Sequence, residues 1–160
     1  MSLPCGTNGE LDLVVGPPAI FPAPPLDVRA VPFNVPCRTG PGTLTIGYWK
    51  NHADKWPVTS VTLGGGTISE TQALAILNTP PRGDATIILA QQLIAAELNV
   101  QLGNTSSCVS STIAAANSLL AANPVGSHLS TSSAAGQQAV ALGSTLDSYN
   151  NGALCAPHQN

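Results

Sequence analysis

The stretch DATIILAQQLIAAELNVQLGN, residues 84–104, decides the fold. Ile87, Ile88, Leu89, Leu93, Ile94, Leu98 and Leu102 recur at helical spacing and cover a wide stripe, too broad for a helix that touches the core along one edge. Asp84 is a suitable N-cap, and Gly103-Asn104 supplies the glycine that ends helices. The spacing therefore predicts a helix from Asp84 to about Leu102 at the centre of the core. Upstream, Ser69 reads as the cap of a helix carrying Ala73, Leu74, Ile76 and Leu77, which Pro80-Pro81 ends. Downstream, Val109 to Ala122 and Ser132 to Tyr149 place Ile113, Leu119, Leu120, Val140, Leu142 and Leu146 at helical spacing. Their short Pro124-Val125-Gly126 connection favours antiparallel neighbours.

Before these helices, β-branched residues of Val58–Leu63 and Thr67-Ile68 flank Gly64-Gly65-Gly66, which reads as a small hairpin. Nine of the 14 prolines precede residue 42. Proline lacks the amide donor and fixes φ, so this region is expected to be extended or polyproline II chain. Leu11–Val15 within it suggests one short strand, and Val28–Val35, interrupted by Pro32, an edge-like one. The expected fold is mainly α: a compact bundle of about four helices with a small β-hairpin, residues 37–160, preceded by an extended proline-rich arm, residues 1–36.

Composition narrows the function. Charged residues make up only 8% of the 160 residues, no Lys or Arg follows Arg82, and Asp147 is the sole charge after Glu97. Nucleic acid is thus not an expected partner, because phosphate binding needs a basic patch. The net charge of −3 gives no attraction to an anionic membrane, and no apolar run is long enough to insert in one. Cys5, Cys37, Cys108 and Cys155 are widely spaced, unlike zinc ribbons or redox motifs, so disulfides and an oxidising compartment are expected. An antiparallel pair formed by the last two helices would join Cys108 to Cys155 and leave Cys5 for Cys37, with Cys37–Cys155 as the competing pairing. The chain begins Met1-Ser2-Leu3-Pro4, with neither a basic nor an apolar leader region, so export is expected through a leader removed beforehand or by another route.

The most distinctive string is TIGYWKNHADKWP, residues 45–57, which holds both tryptophans of a chain that is only 4% aromatic. It resembles the Gly-Tyr-Trp-Lys-Asn-His segment of a family of secreted bacterial surface proteins of uncharacterised function. The likeness extends through Ala75–Pro80 and Leu89–Ala96 to Leu146–Asn150, about Cys37 to Cys155. That family carries Pro-Glu-Ala after the histidine, where this chain has Ala53-Asp54-Lys55. The resemblance implies export and surface association and no particular chemistry.

If residues 45–57 are helical, Trp49 and Trp56 share a face and anchor the segment to the core. The functional alternative is an aromatic platform for carbohydrate built from Tyr48, Trp49 and Trp56, flanked by Lys50, Asn51 and His52. His52 as a metal ligand would need His128, His158 or a carboxylate brought in from loops, and no spacing supports that, so neither metal nor cofactor is expected. Arg82-Gly83-Asp84 matches a tripeptide read by adhesion receptors, and Asn104-Thr105-Ser106 a glycosylation acceptor; turn and cap chemistry accounts for the first. No nucleophile elbow, metalloprotease pair, phosphate loop or dinucleotide fingerprint occurs, so no catalytic residue is assigned. An enzyme would instead need Asp54 or Glu70 to converge on His52 in a cleft.

The expected role is that of a non-enzymatic exported structural or interaction protein. Leu11, Leu13, Val14, Val15, Ile20, Phe21 and Phe33 of the arm need burial somewhere. They would find it against the helical domain or across a neighbouring copy, in the latter case assembling a filament or surface layer. Other copies of the chain or surface proteins are the expected partners, with carbohydrate as the alternative.

Overall fold

In the computed structural model the described residues are 8–15 and 27–34, as backbone, and 38–159. The chain divides into two units, Met1–Cys37 and Arg38–Asn160. In the first, β1 (Asn8–Val15) pairs antiparallel with β2 (Asp27–Asn34), Leu11 opposite Val31 and Leu13 opposite Arg29. The two expected strands thus form one ladder, a pairing that composition did not suggest. Pro32, opposite Glu10, is tolerated because a ladder of two strands consists only of edges.

The second unit runs α1 (Ile46–Asn51), β3 (Ser60–Leu63), β4 (Gly66–Ser69), α2 (Glu70–Leu77), α3 (Ala85–Gln101), α4 (Ser110–Ala122) and α5 (Ala134–Asn150). These are five helices rather than about four, the extra one being the short α1. β3 and β4 are joined through Gly64 and Gly65, both at positive φ, as the tight turn of a two-residue hairpin requires. Ser69 and Gln72 make a reciprocal capping box at the start of α2.

α3 is the central element. Its Ala85, Leu89, Ala90, Leu93, Ile94, Ala95, Ala96 and Leu98 have no exposed surface, and α1, α2, α4, α5 and β3 all pack on it. The start of α3 meets the segment before α5 through the Asp84–Ser130 bridge, and its end meets the end of α5 through Asn99 and Asn150. α3 and α5 are therefore parallel. α4 runs against both, since Gly126 after its end donates to Thr86 at the start of α3. This antiparallel return of α5 along α4 brings Cys108 and Cys155 together as a disulfide, with Cα atoms 5.8 Å apart. The competing Cys37–Cys155 pairing is thereby overturned; Cys5 and Cys37 lie outside the described residues.

Trp49, Leu93, Leu98 and Leu119 are buried, as the helical spacing suggests. Ile88 and Leu142 are only half-buried, and Val140 is 38% exposed. The reason is that α5 meets α3 through small residues. Gly143 lies where an added Cβ would be 3.7 Å from Ile88, so Ile88 packs there over a glycine rather than under a larger side chain.

Candidate functional site

The aromatic motif is a short helix followed by a turn. Thr45 caps α1 by accepting from the Tyr48 N–H, and the helix stops at His52, whose φ of −131° and ψ of 58° are not helical. A turn of 3₁₀ helix, Ala53–Lys55, follows and carries the chain to Trp56. Residues 45–57 are therefore not one helix, and the two indoles do not share a helical face. Instead Trp56 folds back, its Nε1 donating to the Trp49 carbonyl at 2.9 Å, which helps to satisfy the free end of α1.

Trp49 has no exposed surface. It cannot form part of a carbohydrate platform. Trp56 is half-buried, and Lys50 and Asn51 are exposed, Asn51 Nδ2 donating to the Gly47 carbonyl. His52 is exposed, its ring stacked on Tyr48 at 4.3 Å with 15° between the planes. Its Nδ1 lies 2.9 Å from the Tyr48 carbonyl, which can only accept, so this nitrogen carries the proton. Tyr48 is half-buried, meets the edge of Trp49, and lines a cleft of about 340 Å³ with Leu44, Thr45, His158 and Gln159. Asp54 pairs with Lys55 at 3.2 Å on the surface, an arrangement worth little. Among the described residues, neither Asp54 nor Glu70 is paired with His52 and no His, Cys, Asp and Glu cluster has the makings of a metal site.

What holds the motif in place is a residue inside the apolar helix α3. Asn99, fully buried, accepts at Oδ1 from the Leu44 N–H (2.8 Å) and from Trp49 Nε1 (3.3 Å). Its Nδ2 donates to the Leu44 carbonyl (2.8 Å) and to Asn150 Oδ1 (2.9 Å). Asn150 Nδ2 in turn donates to the Gln92 backbone and side-chain oxygens, and Gln92 donates to Asp147. Asn104 repeats the pattern two residues upstream, its side chain accepting from the Gly42 N–H and donating to the Gly42 carbonyl. Thr43 between them uses its other edge, donating to Pro157 and accepting from Gln159.

Residues 42–44 thus behave as a strand with two different neighbours. One is the backbone of the C-terminal segment; the other is a pair of asparagine side chains that copy the donor and acceptor of a peptide group. Gly40, at φ +129°, lies where a Cβ would collide with Asn104. Thr39 closes the arrangement by donating to Cys155 and accepting from Thr105. Where the chain enters the helical unit it is therefore held by α3, the Cys108–Cys155 loop and the C-terminal segment. The sequence contained a signal for this. An asparagine amid an apolar stripe is a poor helix former that needs buried partners.

The two remaining motifs are structural. Asp84 is 4% exposed, and its carboxylate accepts from the Thr86 N–H, the Thr86 hydroxyl and the His128 N–H. Burial opposes its ionisation, but the hydrogen bonds from Thr86, His128 and Leu129 outweigh that and hold it below its ordinary value of 3.8. A carboxylate so occupied is not presented to an adhesion receptor. Asn104 is buried with both amide atoms engaged, so the Asn104-Thr105-Ser106 triplet is not an accessible glycosylation acceptor in the folded chain.

No family model, curated protein or solved structure matches the chain. Its own geometry is what bears on its function.

Proposed function

We propose that the protein is a non-enzymatic, exported structural protein that assembles with copies of itself, through its N-terminal arm, into an extracellular filament or surface layer. The observation that carries this reading is the β1–β2 ladder. Its register places Leu11, Leu13, Val15, Val31 and Phe33 on one face, with Arg29 and Asp27 at one end of it, while Val14 and Val28 fall on the other with Glu10 and Asp12. Ile20 and Phe21 lie outside the described residues.

A two-stranded ladder has no second layer of its own and is marginal in water. Full burial of such residues gains about 1.5–3 kcal/mol each, so a covering surface is strongly favoured. The firm anchoring of residues 39–44 suits an arm that has to transmit a contact to the helical unit. The Cys108–Cys155 disulfide is compatible with an oxidising compartment, and no helix among the described residues is long and apolar enough to cross a membrane. The carbohydrate reading keeps Tyr48 and the half-buried Trp56 but loses Trp49. One ring already stacked on its neighbour is a weak platform.

The test is deletion of residues 2–36 followed by light scattering. Full-length protein is expected to form particles far larger than a monomer, and the shortened chain to remain monomeric. An oligomer unchanged by the deletion rejects assembly through the arm.

A further inference from the structure

Pro80, Pro81, Arg82, Asp84, Ile87 and His128 line a cleft of about 370 Å³ between the turn that follows α2 and the turn that follows α4. Among the described residues, Arg82 (φ +46°) and His128 (φ +60°) are the two non-glycine residues at positive φ, and both belong to this one cleft. A side chain in that region is strained; such positions persist where their surroundings hold them, and they gather at ligand sites. Asp84 does the holding. Its N–H donates to the Pro81 carbonyl at 2.8 Å, closing the turn that contains Arg82, and its carboxylate accepts from the His128 N–H at 2.9 Å. Both turns are thus fixed to one buried residue before any ligand arrives.

We propose that this cleft binds a small monoanionic carboxylate with an apolar body, held at its charged end by Arg82 and His128. The site is independent of assembly through the arm. Asp84 does not occupy the arginine, because its Oδ1 is taken by the Thr86 N–H and hydroxyl and its Oδ2 by the His128 N–H. Among the described residues Arg82 makes neither a hydrogen bond nor an ion pair, so its exposed guanidinium keeps the planar fork of donors that fits a carboxylate bidentately. His128, also exposed, has a ring N–H to offer in either charge state. The N-terminus of α3 is not the anion site, since the Ala85 and Thr86 N–H groups are taken by the Leu129 carbonyl and the Asp84 carboxylate.

The charge of the ligand follows from the same balance. One permanent cation beside a buried Asp84 that is held ionised suits a single negative charge better than the double charge of a phosphate. Pro80, Pro81 and Ile87 carry no side-chain polar group, and the Thr79 hydroxyl is bonded to the Ala75 carbonyl, so the body of the ligand is apolar. At about 370 Å³ the cleft lies near the lower end of small-molecule sites, roughly 300–1,000 Å³, which restricts the ligand to a compact acid.

The test is equilibrium dialysis of full-length protein against benzoate, a measurement that does not depend on the size of the particles the protein forms. Saturable binding of benzoate is expected, with neutral benzamide and inorganic phosphate each weaker by about tenfold or more. Arg82→Asn should abolish that binding while melting at or above the wild-type temperature, because asparagine adopts positive φ more readily than arginine does. His128→Asn, which keeps the N–H that Asp84 accepts, should weaken it. No saturable uptake of benzoate, benzamide or phosphate binding as tightly as benzoate, or an Arg82→Asn protein that keeps the wild-type affinity would each overturn the proposal. The benzamide and phosphate comparisons use unaltered protein and decide the matter even where a variant fails to fold.

Discussion

Asn99 shows how a single polar residue can direct a largely apolar core. Its four hydrogen bonds reach the backbone of Leu44, the indole of Trp49 and the side chain of Asn150. Replacement by leucine of similar volume would leave those groups without partners, each orphan costing about 1–3 kcal/mol. Asn99→Leu is therefore expected to lower the denaturant midpoint by more than a single lost hydrogen bond would, and an unchanged midpoint would show that water or repacking replaces the asparagine. Glu97 on the same helix behaves differently. Burial raises its carboxyl above the ordinary 4.5, against an opposing hydrogen bond from Asn117, and Asn117 Oδ1 is buried with no partner among the described residues. A raised carboxyl favours the fold while protonated, and that contribution is lost as pH rises through the folded value. Asp84 has the opposite sign: its contribution is present above 3.8 and is lost as pH falls through the lowered folded value. Glu97→Gln should melt higher than wild type near neutral pH, with the difference shrinking as pH falls from the raised folded value to the ordinary 4.5. Equal melting temperatures across a pH series would remove Glu97 from the account. Tyr149 contributes no titration in this range, since burial pushes its phenol up to about 12.

At the scale of the elements, close approach is carried by small residues. Replacing glycine by alanine inside a helix ordinarily stabilises by about 0.5–1 kcal/mol, because alanine has less backbone freedom to lose. Gly136, in the first turn of α5, should reverse that sign. A Cβ there would collide with the Ser130 carbonyl, and Gly136 N–H is bonded to the capping Ser133 hydroxyl at 3.0 Å. Gly136→Ala is expected to lower the melting temperature, and a higher one would mean that the Ser130–Ser133 turn yields easily. The elements themselves were largely legible in the sequence. Asp84, Ser69 and the glycines of the β3–β4 turn fix their boundaries through local capping and positive φ, which do not depend on distant contacts. The motif helix was less legible. Residues 45–57 have no proline before Pro57 to mark a break, and the stop at His52 comes with the stack on Tyr48 and the return of Trp56 to the Trp49 carbonyl.

For the whole helical unit the Cys108–Cys155 disulfide joins the start of α4 to the C-terminal segment across 47 residues. Such a closure typically contributes about 2–4 kcal/mol. Reduction should lower the melting temperature, and hydrogen exchange should quicken first at Thr43 and Gln159, whose backbone bonds tie residues 42–44 to that segment. Uniform quickening across α3 as well would show instead that the disulfide supports the whole core. By itself the sequence determined the helix succession, the caps, the central place of α3 and the scarcity of charge, because these follow from local pattern and composition. The sequence put the Cys108–Cys155 pairing forward with Cys37–Cys155 still open, and the structure decided between them. Tertiary structure alone decided that Trp49 is sealed, that Asn99 and Asn104 stand in for a neighbouring strand, and that Asp84 spends its carboxylate on its own fold. Each depends on groups 40 or more residues apart in the chain meeting in space, and no local rule of spacing encodes such a meeting.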